Sequence, residues 1–410
     1  MRRIRTWALA GMALVVAAGA PVAAAAEVQP EKPGMVESLP PIADHWVFVG
    51  DTVLRRSALF DASTGEMLGM VNVGHGVSGA RPHISRDREE IYVIETVYDR
   101  GHRGTRTDLV TIYGARDLGV IGEVVIPTKR ADNGNGVALG TLLGDRFLVV
   151  FNQTPATSVS IVDVETRAFV SEIATAGCAL VFQAGPRSFG QLCGDGTAQR
   201  VDLDGEGRES ARVRSERFFD PIEDPVTEKG VRIADGRWLF ASFEGHAHEV
   251  DFSAERPTVA EPWSLVDEGE RDDGWRIGGQ QHLALHRASG RLYSVMHRGE
   301  PGSHKDGGPE IWVYDLGERR RTAIFEPANL TAAFLRGLAG VTAGSVTDWL
   351  MTTLLPAADV STLAVSQDPE PLLFVGSRDV AGVGVHDALS GEHLRDLDST
   401  GLSGGLLVVP

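Results

Sequence analysis

Ser160 to Val170 reads SIVDVETRAFV, an apolar run ending in Asp163, a polar turn and a second apolar run. Short runs in which apolar and polar residues alternate carry the period-two mark of strands. The stretch therefore reads as two strands joined by a tight turn. An aspartate at such a point accepts backbone N–H groups of the turn that follows it, a structural duty rather than a catalytic one. The unit recurs as LFDASTGEMLG at Asp61, AQRVDLDGEG at Asp202, AHEVDFSAE at Asp251, IWVYDLGERRRTAIF at Asp315 and GVHDALSGEHLRDL at Asp387. A seventh copy, TIYGARDLGVIGEV, has Gly114 in the aspartate's place. Their separations, about 40 to 70 residues, are those of four-stranded propeller blades. The expected fold is all-β, a seven-bladed β-propeller over residues 45–410. HWVFVGD near the start and GGLLVVP at the end are suitable strands for joining the chain ends in one blade, which would leave only short, protected edges.

One stretch breaks the strand pattern. LTAAFLRGLAGVTAGSVTDWLMTTLLP, Leu330 to Pro356, is apolar with loose helical spacing, while Arg336 and Asp348 inside it argue against a membrane span. It reads as a short helical insertion on one face of the propeller and a candidate contact surface.

At the N-terminus, Arg2, Arg3 and Arg5 precede an apolar run from Ala8 to Val22 and the small residues Ala24, Ala25 and Ala26. That is the layout of a signal peptide over residues 1–26, followed by an N-terminal arm over 27–44, and it predicts export to the periplasm with no membrane anchor. Loss of the three signal arginines takes the formal charge from −17 to −20, which argues against nucleic acid and anionic lipid as partners. Cys178 and Cys193 are the only cysteines. In an oxidising compartment two lone cysteines point to a disulfide, since no Cys-x-x-Cys motif or neighbouring histidine supports a redox or zinc role. A bridge over such a loop stabilises by about 3 kcal/mol in the chain-entropy model.

Chemistry is sparse. GLSGG, Gly401 to Gly405, has the letters of a nucleophile elbow but no room for the helix and histidine that must follow. His246 with His248, and His282 with His286, each share a strand face without a third ligand nearby, so the expectation is no metal and no catalytic residue in this chain. RGHRGTRTDLV sets Arg100, Arg103 and Arg106 beside Asp108 in a charged loop, and DDGWRIGGQQ sets Trp275 and Arg276 in an inter-strand loop.

Longer segments carry a family resemblance. ETVYDRGHRGTRTDLV, QTPATSVSIVDV, GCALVFQAGPRSFGQLCGDG, EPWSLVDEGERDDGWRIGGQ, LALHRASGRLYSVMHRGEPGSHKDGGPEIWVYDL and LAVSQDPEPLLFV resemble the heavy subunits of quinoprotein amine dehydrogenases. The cysteine segment and HRASGRLYSVMH look more like the aromatic amine branch than the methylamine branch. The resemblance implies a periplasmic seven-bladed propeller of the YVTN-like kind with a Cys178–Cys193 disulfide. It implies no cofactor on this chain, with the tryptophan tryptophylquinone and an aspartate base on a light subunit. It further implies two heavy and two light chains, release of aldehyde and ammonia from a primary amine, and electron delivery to an azurin- or amicyanin-type copper protein. His75 and Gly76 fall where the family tends to place a phenylalanine at the substrate channel, and Arg100, Arg103, Arg106, Asp108, Trp275 and Arg276 become candidates for the subunit interface. The competing readings are a free-standing propeller hydrolase of the lactonase kind, which needs metal ligands converging on the axis, and a propeller that only scaffolds another exported protein.

Overall fold

The computed structural model describes residues 38–74, 81–130, 138–397 and 401–410. They form seven antiparallel sheets arranged as the blades of a β-propeller, numbered here in chain order. Blade 1 holds both chain ends: the last strand, Leu407–Val408, pairs with Trp46–Asp51, and Arg56–Asp61 and Glu66–Asn72 follow outward. The closure expected from HWVFVGD and GGLLVVP is therefore present, with Phe48 opposite Val408 and Val49 opposite Leu407. At the end of the arm, Leu39 exchanges hydrogen bonds with Arg116 and Ile42 is buried between blades 1 and 2. The signal peptide expected over residues 1–26 and the expected arm as far as residue 37 lie outside the described residues.

Packing explains the ring. Seven hydrophobic clusters occur among the described residues, one at each contact between neighbouring blades. Between blades 2 and 3, for example, Ile94, Val110 and Ile112 meet Leu148, Val150 and Val162. Strands in the middle of a blade are covered on both faces, so Phe147–Asn152 is buried at every residue. The outermost strand of blade 6, Arg320–Phe325, instead alternates exposed and half-buried residues.

The turn aspartates perform the capping expected of them in five of the copies. Asp163 accepts the amides of Glu165 and Thr166, and Asp387 those of Leu389 and Ser390. Asp61, Asp251 and Asp315 act likewise. Asp202 does not. It lies inside the strand Ala198–Leu203 and binds Ser188 and Arg200, while Asp204 caps the turn through the amides of Glu206 and Arg208. Two aspartates two residues apart share a strand face, so the letters alone could not choose between them. In the copy with Gly114, Asp117 takes over by accepting the amide of Gly119.

Two further differences concern blades 5 and 6. Each contains a fifth strand segment, Trp263–Ser264 and Trp275–Ile277, so DDGWRIGGQQ is partly strand rather than wholly loop. The helix before it, α1 (Glu268–Asp272), is started by a reciprocal capping box between Asp267 and Glu270. The insertion is helical as expected, with α2 (Leu330–Ala339) capped by Asn329 and α3 (Val346–Leu354) capped by Ser345. Cys178 and Cys193 are bonded and face one another in the first two strands of blade 4.

Candidate functional site

The strand order sorts the connections into two ends. One end carries the tight aspartate turns. The other carries the turns joining second to third strands and the crossings to the next blade, including residues 99–105, 215–230, 260–274, 299–309 and the insertion. This loop-rich end is the candidate functional surface.

On blade 2, the hairpin between Glu90–Tyr98 and Arg106–Gly114 projects there. Arg100 and Arg103 at its tip are exposed, and Arg55 of blade 1 bonds His102 at 2.9 Å. Asp108 lies far from the surface. Its carboxylate is fully buried and accepts from Thr96 Oγ1, Arg106 Nε and Nη2 and the Arg130 amide at 2.8–3.0 Å. The interface candidate Asp108 is thus corrected to a residue that shapes the hairpin from within, because no face of it is left for a partner. Arg106 is largely engaged in the same network.

Across the ring, Trp275 and Arg276 stand on blade 6. Arg276 is tied to Glu244 at 3.2 Å and to the Gly299 carbonyl at 3.1 Å. Trp275 is half-buried, with the Arg298 guanidinium 5.0 Å from its ring centre and Trp312 5.2 Å away. An open groove of about 480 Å³ runs beside it, lined by Trp275, His297, Arg298, Pro309, Glu310 and Asp359 among others. The Trp275–Trp312 pair does not suit a quinone formed within this chain. Trp312 is buried, donates Nε1 to Glu310 and lies under the Arg321 guanidinium, so nothing can reach its ring. Blades 2 and 6 are not neighbours, so the structure does not bring the two groups of candidates together. His75 and Gly76 lie outside the described residues.

Between blades 5 and 6 the structure assembles a cluster that sequence reasoning missed. Lys229 is buried and donates Nζ to the carbonyls of Gly279 and His304 at 2.6 and 3.2 Å, and burial lowers its pKa to about 8. Nearby His282 is fully buried, with Nε2 3.2 Å from Thr227 Oγ1, and burial holds it neutral. His304 stacks on Phe243 at 3.9 Å. Lys229 pins the 299–309 loop to the Gly279 turn; no local motif around TEKG signals this, because its partners lie 50 and 75 residues away.

The other histidines have local duties. His246 bonds Asp224 at 2.9 Å, and His286 bonds Ser289 and the Asp368 carbonyl. Among the described residues no group of three or more His, Cys, Asp or Glu is arranged to hold a metal. Ser403 of GLSGG has a structural partner, its hydroxyl donating to Asp51 at 2.9 Å. No helix among the described residues is long and apolar enough to cross a membrane.

What these features define is a seven-bladed propeller with one loop-rich end. A sequence model of the methylamine dehydrogenase heavy chain (MADH) family matches residues 47–328, which run from blade 1 through blade 6. The methylamine dehydrogenase heavy chain of Paracoccus versutus is 27% identical over 380 residues, covering 90% of this chain and 80% of that one. The methylamine dehydrogenase heavy chain of Methylorubrum extorquens is 22% identical over 397 residues, covering 95% and 88%. Among solved structures, a functionally unknown protein from Desulfotomaculum acetoxidans superposes with a TM-score of 0.56 at 14% identity, over 89% of this chain and 98% of that one, a likeness of fold alone. The chain belongs to the methylamine dehydrogenase heavy chain family.

Proposed function

We propose that this chain is the exported heavy subunit of an amine dehydrogenase whose tryptophan tryptophylquinone and catalytic base reside on a light subunit. The family match over blades 1 to 6 carries this reading. The cofactor, when present on the light chain, supplies the two-electron oxidation of a primary amine to aldehyde and ammonia, with a blue copper protein as the proposed acceptor. This chain's contribution is to seat the light subunit on its loop-rich end and exclude water from the reaction chamber. It also sets specificity through a few wall contacts. The methylamine dehydrogenase names of the relatives favour a small aliphatic amine over the aromatic amines suggested by the cysteine segment and HRASGRLYSVMH.

The chain purified gently from its native host should bring a small cysteine-rich partner whose visible band bleaches on adding amine. Recombinant heavy chain alone should reduce no dye. Amine-dependent dye reduction by the isolated chain would overturn the proposal, and the ratio of kcat/KM for methylamine and tyramine decides the substrate class.

Arg100 and Arg103 supply a further test, being exposed cations on an otherwise acidic chain. Charge reversal at both positions, Arg100→Glu with Arg103→Glu, should slow association with an acidic light-chain surface about tenfold at low salt, and less at high salt. An unchanged association rate in stopped-flow mixing would remove this hairpin from the interface.

A further inference from the structure

The inner edge of the propeller is basic on a chain that is otherwise acidic. The innermost strands of the blades, among them His83–Ile84 in blade 2, Val231–Ala234 in blade 5 and Leu283–His286 in blade 6, surround the axis. The chain holds 56 aspartates and glutamates against 39 lysines and arginines, yet among the described residues no innermost strand carries an acidic one. What these strands and their ends carry is basic: Arg81 just before its strand, Arg232 within its strand and Arg287 directly after its own. Blades 2 and 5 stand nearly opposite in the ring of seven, so their inner edges face each other across the axis. Val231 and Ile233 pack into the core between blades 5 and 6, which turns Arg232, the residue between them, to the other face of its strand. Arg81 and Arg232 are both half-buried. Burial and the positive charge of Arg232 lower the pKa of Arg81, and the same two causes lower that of Arg287. The His83 imidazole lies against Gly140 of blade 3, where a side chain would strike it, and burial beside Arg81 lowers its pKa to about 3 and keeps it neutral. Asp235 lies 4.0 Å from the Arg232 guanidinium, but it is 94% exposed and water weakens its attraction.

We infer that the propeller axis binds a compact oxyanion, of the phosphate or sulfate kind, between Arg81 of blade 2 and Arg232 of blade 5. Like charges held together and partly out of water repel one another, and a doubly charged anion between them turns that repulsion into attraction. The planar fork of a guanidinium matches two oxygens of such an anion. A neutral His83 offers one N–H more. Chloride presents no pair of oxygens to the fork, and a monocarboxylate brings half the charge. The acidic exterior repels polyanions, so the ligand is a small one.

The test is calorimetric titration of inorganic phosphate into the assembly purified from its native host, in a buffer free of phosphate and sulfate and at fixed ionic strength. One phosphate per copy of this chain is expected, with sulfate competing for it and chloride failing to. The midpoint of thermal unfolding should rise saturably with phosphate, as it does for a ligand that binds only the folded chain. Arg232→Gln should weaken binding about tenfold or more, from the loss of hydrogen bonds to a charged group. Arg232→Lys should recover part of this, because the charge returns without the fork. Asp235→Asn, at an exposed position, keeps the test open if the arginine variants fail to fold, and it should tighten binding about twofold by removing a competing negative charge. No saturable phosphate binding overturns the inference, and so does chloride matching phosphate at equal ionic strength. An affinity unchanged in Arg232→Gln, or one weakened in Asp235→Asn, overturns it as well. Phosphate binding is read without amine turnover, so its failure is distinguishable from failure of the proposed activity.

Discussion

Replacing Asp108 with alanine is expected to destabilise the propeller by about 4 kcal/mol, within the range for stranding charges after one partner of a buried pair is removed. The Asp108 carboxylate is fully buried and receives four donors from three other residues, two of them arginines. Arg130 is itself only 5% exposed, so alanine at 108 would leave its buried backbone amide without this acceptor. Asp108→Asn should fall between, since the amide keeps the shape and loses the charge. Denaturant midpoints at unchanged m-value measure the loss. Hydrogen exchange should localise it to Glu90–Tyr98 and Arg106–Gly114. A cost under about 1 kcal/mol would show that water replaces the carboxylate and that the network is not what holds the hairpin.

Asp51→Ala should cost about 3 kcal/mol and loosen the ring where it closes, from the loss of several charge-assisted hydrogen bonds at one buried carboxylate. Asp51 is 1% exposed and joins the two chain ends: it accepts the amides of Val53 and Leu54 on one side, and the Leu402 amide and Ser403 hydroxyl on the other. Burial alone would raise its pKa, but those donors outweigh it and hold the carboxyl below its ordinary 3.8. A carboxylate depressed on folding contributes stability that is complete above its unfolded pKa and is lost as pH falls through the folded value. The wild-type advantage over Asp51→Ala should therefore be constant near neutrality and shrink below about pH 4. Amide exchange at Leu407 and Val408 is the local readout, and equal protection in the two proteins at neutral pH would sink the idea.

Repetition made the architecture readable. Six of the seven blades repeat the pattern of apolar strand, aspartate and turn, and those short-range signals are present in the linear chain. The helical insertion was legible for the same reason, and so was the propensity of the two chain ends to form strands. Asp202 shows the limit of such reading: choosing between it and Asp204 depends on where the strand bulges before its turn, between Asp202 and Leu203. Asp108 shows another, since a charge run written as RGHRGTRTD contains both an exposed tip and a fully buried carboxylate.

The sequence by itself determined that the chain folds into seven β blades, that its cysteines suit a staple and that its family builds amine dehydrogenases from more than one subunit. These follow from local periodicity, from short-range turn chemistry and from long matching segments. Tertiary structure alone decided that Lys229 reaches two carbonyls 50 and 75 residues away, that Asp51 fastens the last strand to the first, and that α3 turns its tryptophan outward. Each of these depends on which surfaces neighbouring blades cover, and burial is a property of the closed ring that no single segment carries.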